Sequence, residues 1–170
     1  MRKVAVYMVL VMLLLAGCTR IEKITNADAE VLRQTAQEIN EASTLPMALL
    51  TSNAQANPAD YEDYIPNYTS FDYYGTDYVL CFCGFPTDED GYFLTEITWT
   101  GESYRLYGVK VGEEKAIAAE LMQLQGYTLI SEGYMMELEK NGVTVRLTGD
   151  TAVEEVRVHI PTKFTSGNLY

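Results

Sequence analysis

Two thiols lie two residues apart in the sequence Cys81-Phe82-Cys83. On a β-strand, residues at this spacing point to the same face of the sheet. A metal site would need further ligands, and the only histidine, His159, is distant in sequence. A disulfide at this spacing is possible but strained in extended backbone. We therefore predict two buried, reduced thiols that pack as small hydrophobic side chains, with no metal bound.

His159 and the 24 acidic residues are the remaining candidates for acid–base chemistry. Strand alternation places His159 on the same side as Glu155 and Arg157, which indicates a solvated position. The sequence has no recognisable nucleophile motif or phosphate-binding loop, and a lone imidazole lacks an evident nucleophile nearby. We therefore predict no catalytic residue and no cofactor. Hydrolysis by a pair of carboxylates stays open, because 24 acidic residues make chance pairs inevitable.

The stretch from Tyr61 to Tyr78 is rich in aromatic and acidic side chains. Tyrosine combines a flat apolar face with a polar tip, so these rings could form a platform for a glycan or peptide. The residues of this possible binding surface are Tyr61, Tyr64, Tyr68, Tyr73 and Tyr74. The alternative is a long irregular segment that its rings pin across the sheet.

The N-terminus has the order of a secretory signal peptide. Arg2 and Lys3 precede an apolar run that ends at Leu15, and this run is too short to span a bilayer, which takes roughly 20 residues. The motif Leu15-Ala16-Gly17-Cys18 resembles the lipobox of bacterial lipoproteins. The resemblance implies cleavage before Cys18, a diacylglyceryl thioether on its sulfur and often an acyl chain, such as palmitate, on its amine. Stable membrane attachment requires more than a single acyl chain.

The chain that would remain after this cleavage has the length and charge of one acidic domain. It has 153 residues, with 10 basic and 24 acidic side chains and a formal charge of −14. Nucleic acid and anionic lipid headgroups would be repelled, so neither is an expected partner. Cations or basic proteins are compatible with this charge.

The hydrophobic periodicity predicts an α+β fold, with an antiparallel meander packed against one or two helices. A helix is predicted over 27–41, with Leu32, Ala36 and Ile39 on its apolar stripe, either packed on the domain or standing as a stalk. A second is predicted over 113–125, with a buried stripe of Ile117, Leu121 and Leu124 and with Gly126 at its end. Extended segments are predicted over 78–84, 92–100, 104–111, 127–139, 143–148 and 153–160, and a turn over 86–91. In 92–100, alternation puts Phe93, Ile97 and Trp99 on one face.

Asn141-Gly142 predicts a type I′ hairpin, which fixes the register of the strands on either side. A two-residue loop there pairs Leu138 with Val145 and Glu137 with Arg146, so apolar side chains meet apolar ones. For the last two strands, the pairing of Val145 with Val156 would leave Arg146 between Glu137 and Glu155.

Residues 107–160 resemble the small repeat of β-lactamase-inhibitor-like and outer-membrane-assembly lipoproteins. The resemblance rests on Gly108-Val109-Lys110-Val111-Gly112, followed by one helix and a three-stranded meander. It implies a protein-binding scaffold without catalytic residues.

These observations divide the chain into a signal peptide (1–17), a lipidated tether with a helix (18–43), a Tyr-rich irregular segment (44–76) and an α+β domain (77–164). They predict a lipoprotein on the extracytoplasmic face of the cell membrane, or of the outer membrane if the host has one. The expected function is a non-enzymatic binding or envelope-assembly module with an envelope protein or glycan as partner. A small cell-envelope hydrolase that uses carboxylates is the alternative.

Overall fold

The structure, a computed structural model, describes residues 26–67, 70–84 and 91–162. It contains two helices, α1 (Asn26–Ala42) and α2 (Lys115–Leu124). The eight strands are β1 (Asp63–Pro66), β2 (Ser70–Tyr74), β3 (Tyr78–Gly84), β4 (Tyr92–Trp99), β5 (Thr128–Ser131), β6 (Met135–Lys140), β7 (Val143–Thr148) and β8 (Glu155–His159). Cys18, Tyr68 and most of the predicted 86–91 turn lie outside the described residues. Among those residues, neither helix has the length and apolar character needed to cross a bilayer.

All eight strands form one antiparallel sheet in the order β1-β2-β3-β4-β8-β7-β6-β5. Every neighbouring pair except β4–β8 is consecutive in the chain, so the sheet consists of two meanders joined along β4 and β8. The chain passes from the first meander to the second between β4 and β5, and this connection contains α2. The predicted α+β class with an antiparallel meander is therefore confirmed.

One face of the sheet is buried against both helices. Buried hydrophobic side chains of the strands and of both helices form a single cluster, in which Trp99 and Leu147 are fully buried. Apolar burial of this extent is the main favourable contribution to folding. The sheet therefore has a covered face, which holds the core.

Helix α1 packs on the domain and is not a free stalk. Its predicted stripe of Leu32, Ala36 and Ile39 is buried. Its C-terminal part is fastened by Asn40, whose side-chain amide donates to the carbonyl of Leu49 and accepts from the Leu49 amide (3.1 and 2.8 Å). The predicted helix over 27–41 is confirmed.

Helix α2 presents a different face to the core than the sequence predicts. Ala118 and Met122 are buried, whereas Ile117 and Leu124 are 44 and 79 % exposed. The helix is apolar around much of its circumference, so periodicity does not distinguish the two stripes. Small alanines on the inner stripe let the helix approach the sheet closely. At its C-terminus, Gly126 ends the helix with φ +85° as expected.

Two segments predicted from sequence have different structures. The segment 44–76 is not wholly irregular, because it supplies strands β1 and β2 and two short 3-10 turns. The segment 104–111 is not an extended strand. Leu106 and Val109 bond each other through both backbone groups (2.9 Å each), which closes a tight turn at Tyr107 and Gly108.

The β6–β7 register is the predicted one, but the β7–β8 register is not. Leu138 pairs with Val145, and Glu137 pairs with Arg146 across the Asn141-Gly142 turn. In the next pair Val145 faces Val158 instead of Val156. A shift of two residues keeps every side chain on its face, so the hydrophobic pattern does not distinguish the two registers.

The connection between β7 and β8 is held by Lys115, the first residue of α2. Its side chain is buried (6 % exposed), and Nζ donates to the carbonyls of Gly133, Tyr134 and Gly149, the bond to Tyr134 being 2.9 Å. Burying an ammonium group requires hydrogen bonds of this kind. The lysine therefore ties α2 to the β5–β6 and β7–β8 connections.

Alanine at Gly149 and at Gly133 should have unequal effects. Both residues have φ near +140°, but a Cβ at position 149 would lie 2.0 Å from the carbonyl oxygen of Ala152, whereas a Cβ at position 133 meets nothing within 4 Å. We expect Gly133→Ala to cost about 1–3 kcal/mol of backbone strain, and Gly149→Ala to cost clearly more. Urea unfolding of both variants measures the difference, and equal losses would contradict the assignment of Gly149 to a close backbone contact.

Candidate functional site on the open sheet face

The face of the sheet opposite the helices carries polar and sulfur-containing side chains that stay partly exposed. We call it the open face. Its central residues, all of intermediate exposure, are Asp72, Tyr74, Val79, Cys81, Cys83, Glu96, Thr98, Glu137, Thr144, Arg146, Glu155, Arg157 and His159. The solvated face of an antiparallel sheet is ordinarily polar, and this one also carries two thiols and the imidazole of His159.

Strand pairing brings four groups with acid–base or nucleophilic chemistry into one row. Asp72 on β2 pairs with Cys81 on β3, which pairs with Glu96 on β4, which in turn pairs with His159 on β8. Directly opposed residues on neighbouring strands have side chains close enough to interact. The row therefore runs carboxylate, thiol, carboxylate, imidazole across four strands.

A β-bulge in β4 positions Glu96 in this row. Cys81 pairs with Glu96 but Phe82 pairs with Leu94, so Thr95 is an extra residue on β4. Its hydroxyl is buried and lies 3.5 Å from the Cys81 carbonyl oxygen. Bulges re-aim the side chains that follow them. Phe93 accordingly pairs with Cys83 on the open face instead of lying with Ile97 and Trp99, which corrects the simple alternation predicted for 92–100.

Glu96 is the electrostatic centre of the row. Its carboxylate lies 3.1 Å from Nδ1 of His159 and 3.9 Å from Nε of Arg157. Burial acts to raise the pKa of Glu96, but His159 and the charge of Arg157, followed by that of Arg146, more than offset it and hold the pKa below its usual value. Glu96 is therefore held as an anion, with its carboxylate beside the imidazole of His159.

The two thiols lie beside this row. Sγ of Cys81 and Sγ of Cys83 are 3.6 Å apart on the same face, and both residues are partly exposed. The shared face is as predicted, but the predicted burial is wrong, because β3 has a core on one side only. The contact between the sulfurs is the main cause of two opposite shifts: it raises the pKa of Cys81 and lowers that of Cys83.

Ion pairs continue across the open face beyond His159. Nε of Arg146 bonds Oε2 of Glu137 at 2.7 Å, and Arg157 lies 3.9 Å from Glu155 as well as from Glu96. Arg146 pairs directly with Arg157, so Glu155 is not its cross-strand neighbour as predicted. The glutamates on either side offset this contact between like charges.

Sequence reasoning did not find the row. His159 is a partly solvated strand residue as predicted, but a carboxylate lies next to it on β4 and both thiols lie two strands away on β3. The β4–β8 pairing that joins them spans about sixty residues, and the local pattern of neither strand indicates its partner. The Cys-Phe-Cys spacing was the only signal in the sequence.

The predicted tyrosine surface is divided between the two faces. Tyr61, Tyr64 and Tyr73 pack together on the covered face, with ring centroids 4.8 Å apart for Tyr61–Tyr73 and for Tyr64–Tyr73. Tyr73 is only 2 % exposed, and its hydroxyl donates to Oδ1 of Asn53 at 2.8 Å. It therefore belongs to the core and lacks the exposed area that contact with a partner needs. Tyr74 pairs with Val79 on the open face.

In the described parts of the chain, no three His, Cys, Asp or Glu side chains are arranged so that they could hold a metal ion. The chain matches no protein-family model, and no curated protein or solved structure is significantly similar to it.

Tyr73 and Tyr74 are neighbours on opposite faces, so alanine at each should have distinct effects. Tyr73→Ala should lose about 3–5 kcal/mol of stability, as truncation of a buried aromatic ring does. Tyr74→Ala should lose much less, because its ring is partly solvated. Thermal or urea unfolding makes the comparison, and a larger loss for Tyr74→Ala would contradict the assignment of the faces.

Glu96→Gln should make stability less dependent on acid. Because the folded-state pKa of Glu96 is lowered, its ionised form stabilises the fold above the unfolded pKa of about 4.3, and this contribution is lost as the pH falls through the folded value. We expect the variant to be less stable at pH 7 by up to about 1 kcal/mol and to match the wild type at low pH. Urea unfolding across this range is the measurement, with Glu30→Gln on the exposed side of α1 as control. A gap that persists in acid would contradict the electrostatic role.

Proposed function

We propose that the protein is a lipid-anchored lipoprotein of the extracytoplasmic face that works as a non-enzymatic binding module, and that the open face is its contact surface. The observation that carries the proposal is the one-sided burial of the sheet. Helices cover one face, while the side chains of the central strands on the other face stay partly exposed. Flat sheet faces of this kind present many side chains at fixed positions without further ordering cost.

The lipobox supports a location next to the membrane. Seven residues separate Cys18 from the start of α1 at Asn26. A fully extended tether of that length reaches roughly 25 Å. A domain held so close to a bilayer meets envelope proteins in preference to soluble ones.

The charges of the open face favour a basic protein partner. Its carboxylates outnumber its arginines, Arg146 and Arg157, and the whole chain has a formal charge of −12. An acidic surface steers basic partners and repels anionic ones. We therefore assign the open face to a partner protein with a basic patch.

The hydrolase alternative has less support. A glycosidase needs one carboxyl group kept protonated by a raised pKa and a second one that is ionised. The pKa of Glu96 on the open face is lowered by its cationic neighbours. Glu96 is therefore unsuited to be the acid.

Site-specific photocrosslinking in cells should locate the contact surface. We expect a benzoylphenylalanine at Thr98, on the open face between Arg157 and Val79, to capture a partner, and the yield to fall as salt is raised, because the contact is electrostatic. The same probe at Gln37, on the exposed side of α1, should capture none.

The anchor is tested with the same strains. Mass spectrometry of the mature protein should find a diacylglyceryl group on Cys18, and Cys18→Ser should abolish it and release the protein from the membrane with loss of the crosslink.

Capture at Gln37 but not at Thr98 would contradict the open face as contact surface. An unmodified Cys18 would contradict the anchor separately.

A further inference from the structure

Cys81 and Cys83 form a thiol pair that the binding function does not use. Their sulfur atoms are 3.6 Å apart, and both residues are partly accessible on the open face. A disulfide bond would require about 2.05 Å, so the sulfur atoms would have to approach by about a further 1.5 Å against the strain of the extended backbone. The pair thus has the proximity that an intramolecular thiol reaction needs.

The sheet register makes the two thiols chemically unequal. Cys81 lies between two carboxylates, Asp72 on β2 and Glu96 on β4. Cys83 lies between Ser70 and Phe93, which are uncharged. A thiolate at position 81 is therefore repelled from both sides, and the negative charge is better placed at position 83.

Groups around Cys83 stabilise its thiolate further. The Cys81 thiol contacts it, and this contact is the main cause that lowers the pKa of Cys83. Burial and Asp72 act in the opposite direction, while the Thr95 hydroxyl and His159 support the lowered value. Nucleophilic thiols are activated by such neighbours, whereas structural ones are buried in apolar surroundings.

We propose that Cys81 and Cys83 form a thiol–disulfide exchange site, in which Cys83 attacks an accessible disulfide and Cys81 resolves the product. The disulfide is the substrate class, supplied by a small molecule or by an exposed bridge of another protein. The site goes beyond the binding function and does not depend on the lipid anchor.

The reaction has two steps. The Cys83 thiolate attacks one sulfur of the disulfide, so a mixed disulfide forms, the original S–S bond breaks, and the first leaving thiolate takes a proton from water. Cys81 then gives up its proton to solvent, and its sulfur attacks Cys83, which forms the Cys81–Cys83 bond and expels the second thiolate. The second thiolate also takes a proton from water, and with the proton that Cys83 released on ionising, the protein loses two electrons and two protons while the substrate disulfide is reduced to two thiols.

The second step is made possible by the first. The contact with Cys83 is the main cause that raises the pKa of Cys81. A mixed disulfide at Cys83 is neutral, so this cause disappears and Cys81 ionises more readily. Because a bridge between residues two apart on a strand is strained, the oxidised pair is readily reduced again.

The full-length Cys18→Ser chain in detergent is suited to the test, because Cys81 and Cys83 are then its only thiols. One equivalent of dithiobis(nitrobenzoate) should release two equivalents of thionitrobenzoate and leave a protein that has lost two hydrogen atoms and carries no adduct. Additional Cys81→Ser should release one equivalent and keep the adduct on Cys83. Additional Cys83→Ser should react more slowly than the Cys81→Ser protein at neutral pH, because Asp72 and Glu96 still lie on either side of Cys81, with circular dichroism as the check on folding.

A further variant tests the unequal environments without removing the nucleophile. In the Cys83→Ser background, Asp72→Asn should accelerate the reaction of Cys81, whereas Asp63→Asn at the sheet edge should not. Glutathione disulfide and native insulin, with its disulfide bonds intact, then distinguish a small-molecule substrate from a protein one. A stable adduct on the protein with both thiols, equal rates for the two single-thiol variants, or a reaction only after unfolding would each overturn the proposal.

Discussion

The extra residue at Thr95 is the constraint on which both faces of this sheet depend. Without it, strict alternation would place Thr95 with Ile97 and Trp99 and would put Leu94 beside Glu96. The bulge changes the alternation so that Leu94, Ile97 and Trp99 all enter the core, while Glu96 faces out next to His159. One inserted residue thus lets β4 present apolar side chains to the core and polar side chains to the open face.

The sequence predicts local structure well and non-local choices poorly. Helix α1 and the Asn141-Gly142 hairpin follow from signals within a few residues, and both are confirmed. The predicted β7–β8 register and the predicted inner face of α2 are wrong, because in each case two arrangements satisfy the same hydrophobic pattern. Lys115 at the start of α2 contributes to both. Its ammonium group donates to three carbonyls in the β5–β6 and β7–β8 connections, and the hydrophobic pattern does not encode these bonds.

The candidate site could not be predicted for the same reason. Its members come from four strands, and the sheet order alone places β8 between β4 and β7. The composition of Cys81-Phe82-Cys83 already suggested paired thiols on one face. It contained nothing about Asp72 and Glu96 on the flanking strands, which make one sulfur a poor thiolate and leave the other as the nucleophile.

Stability does not account for the composition of the open face. Partly exposed ion pairs such as Arg146–Glu137 contribute about 0–1 kcal/mol each, and the direct pairing of Arg146 with Arg157 works against them. The arginines occupy β7 and β8, whereas the thiols lie on β3. The two arginines and the two thiols thus occupy different halves of one surface, with Glu96 and His159 at the boundary.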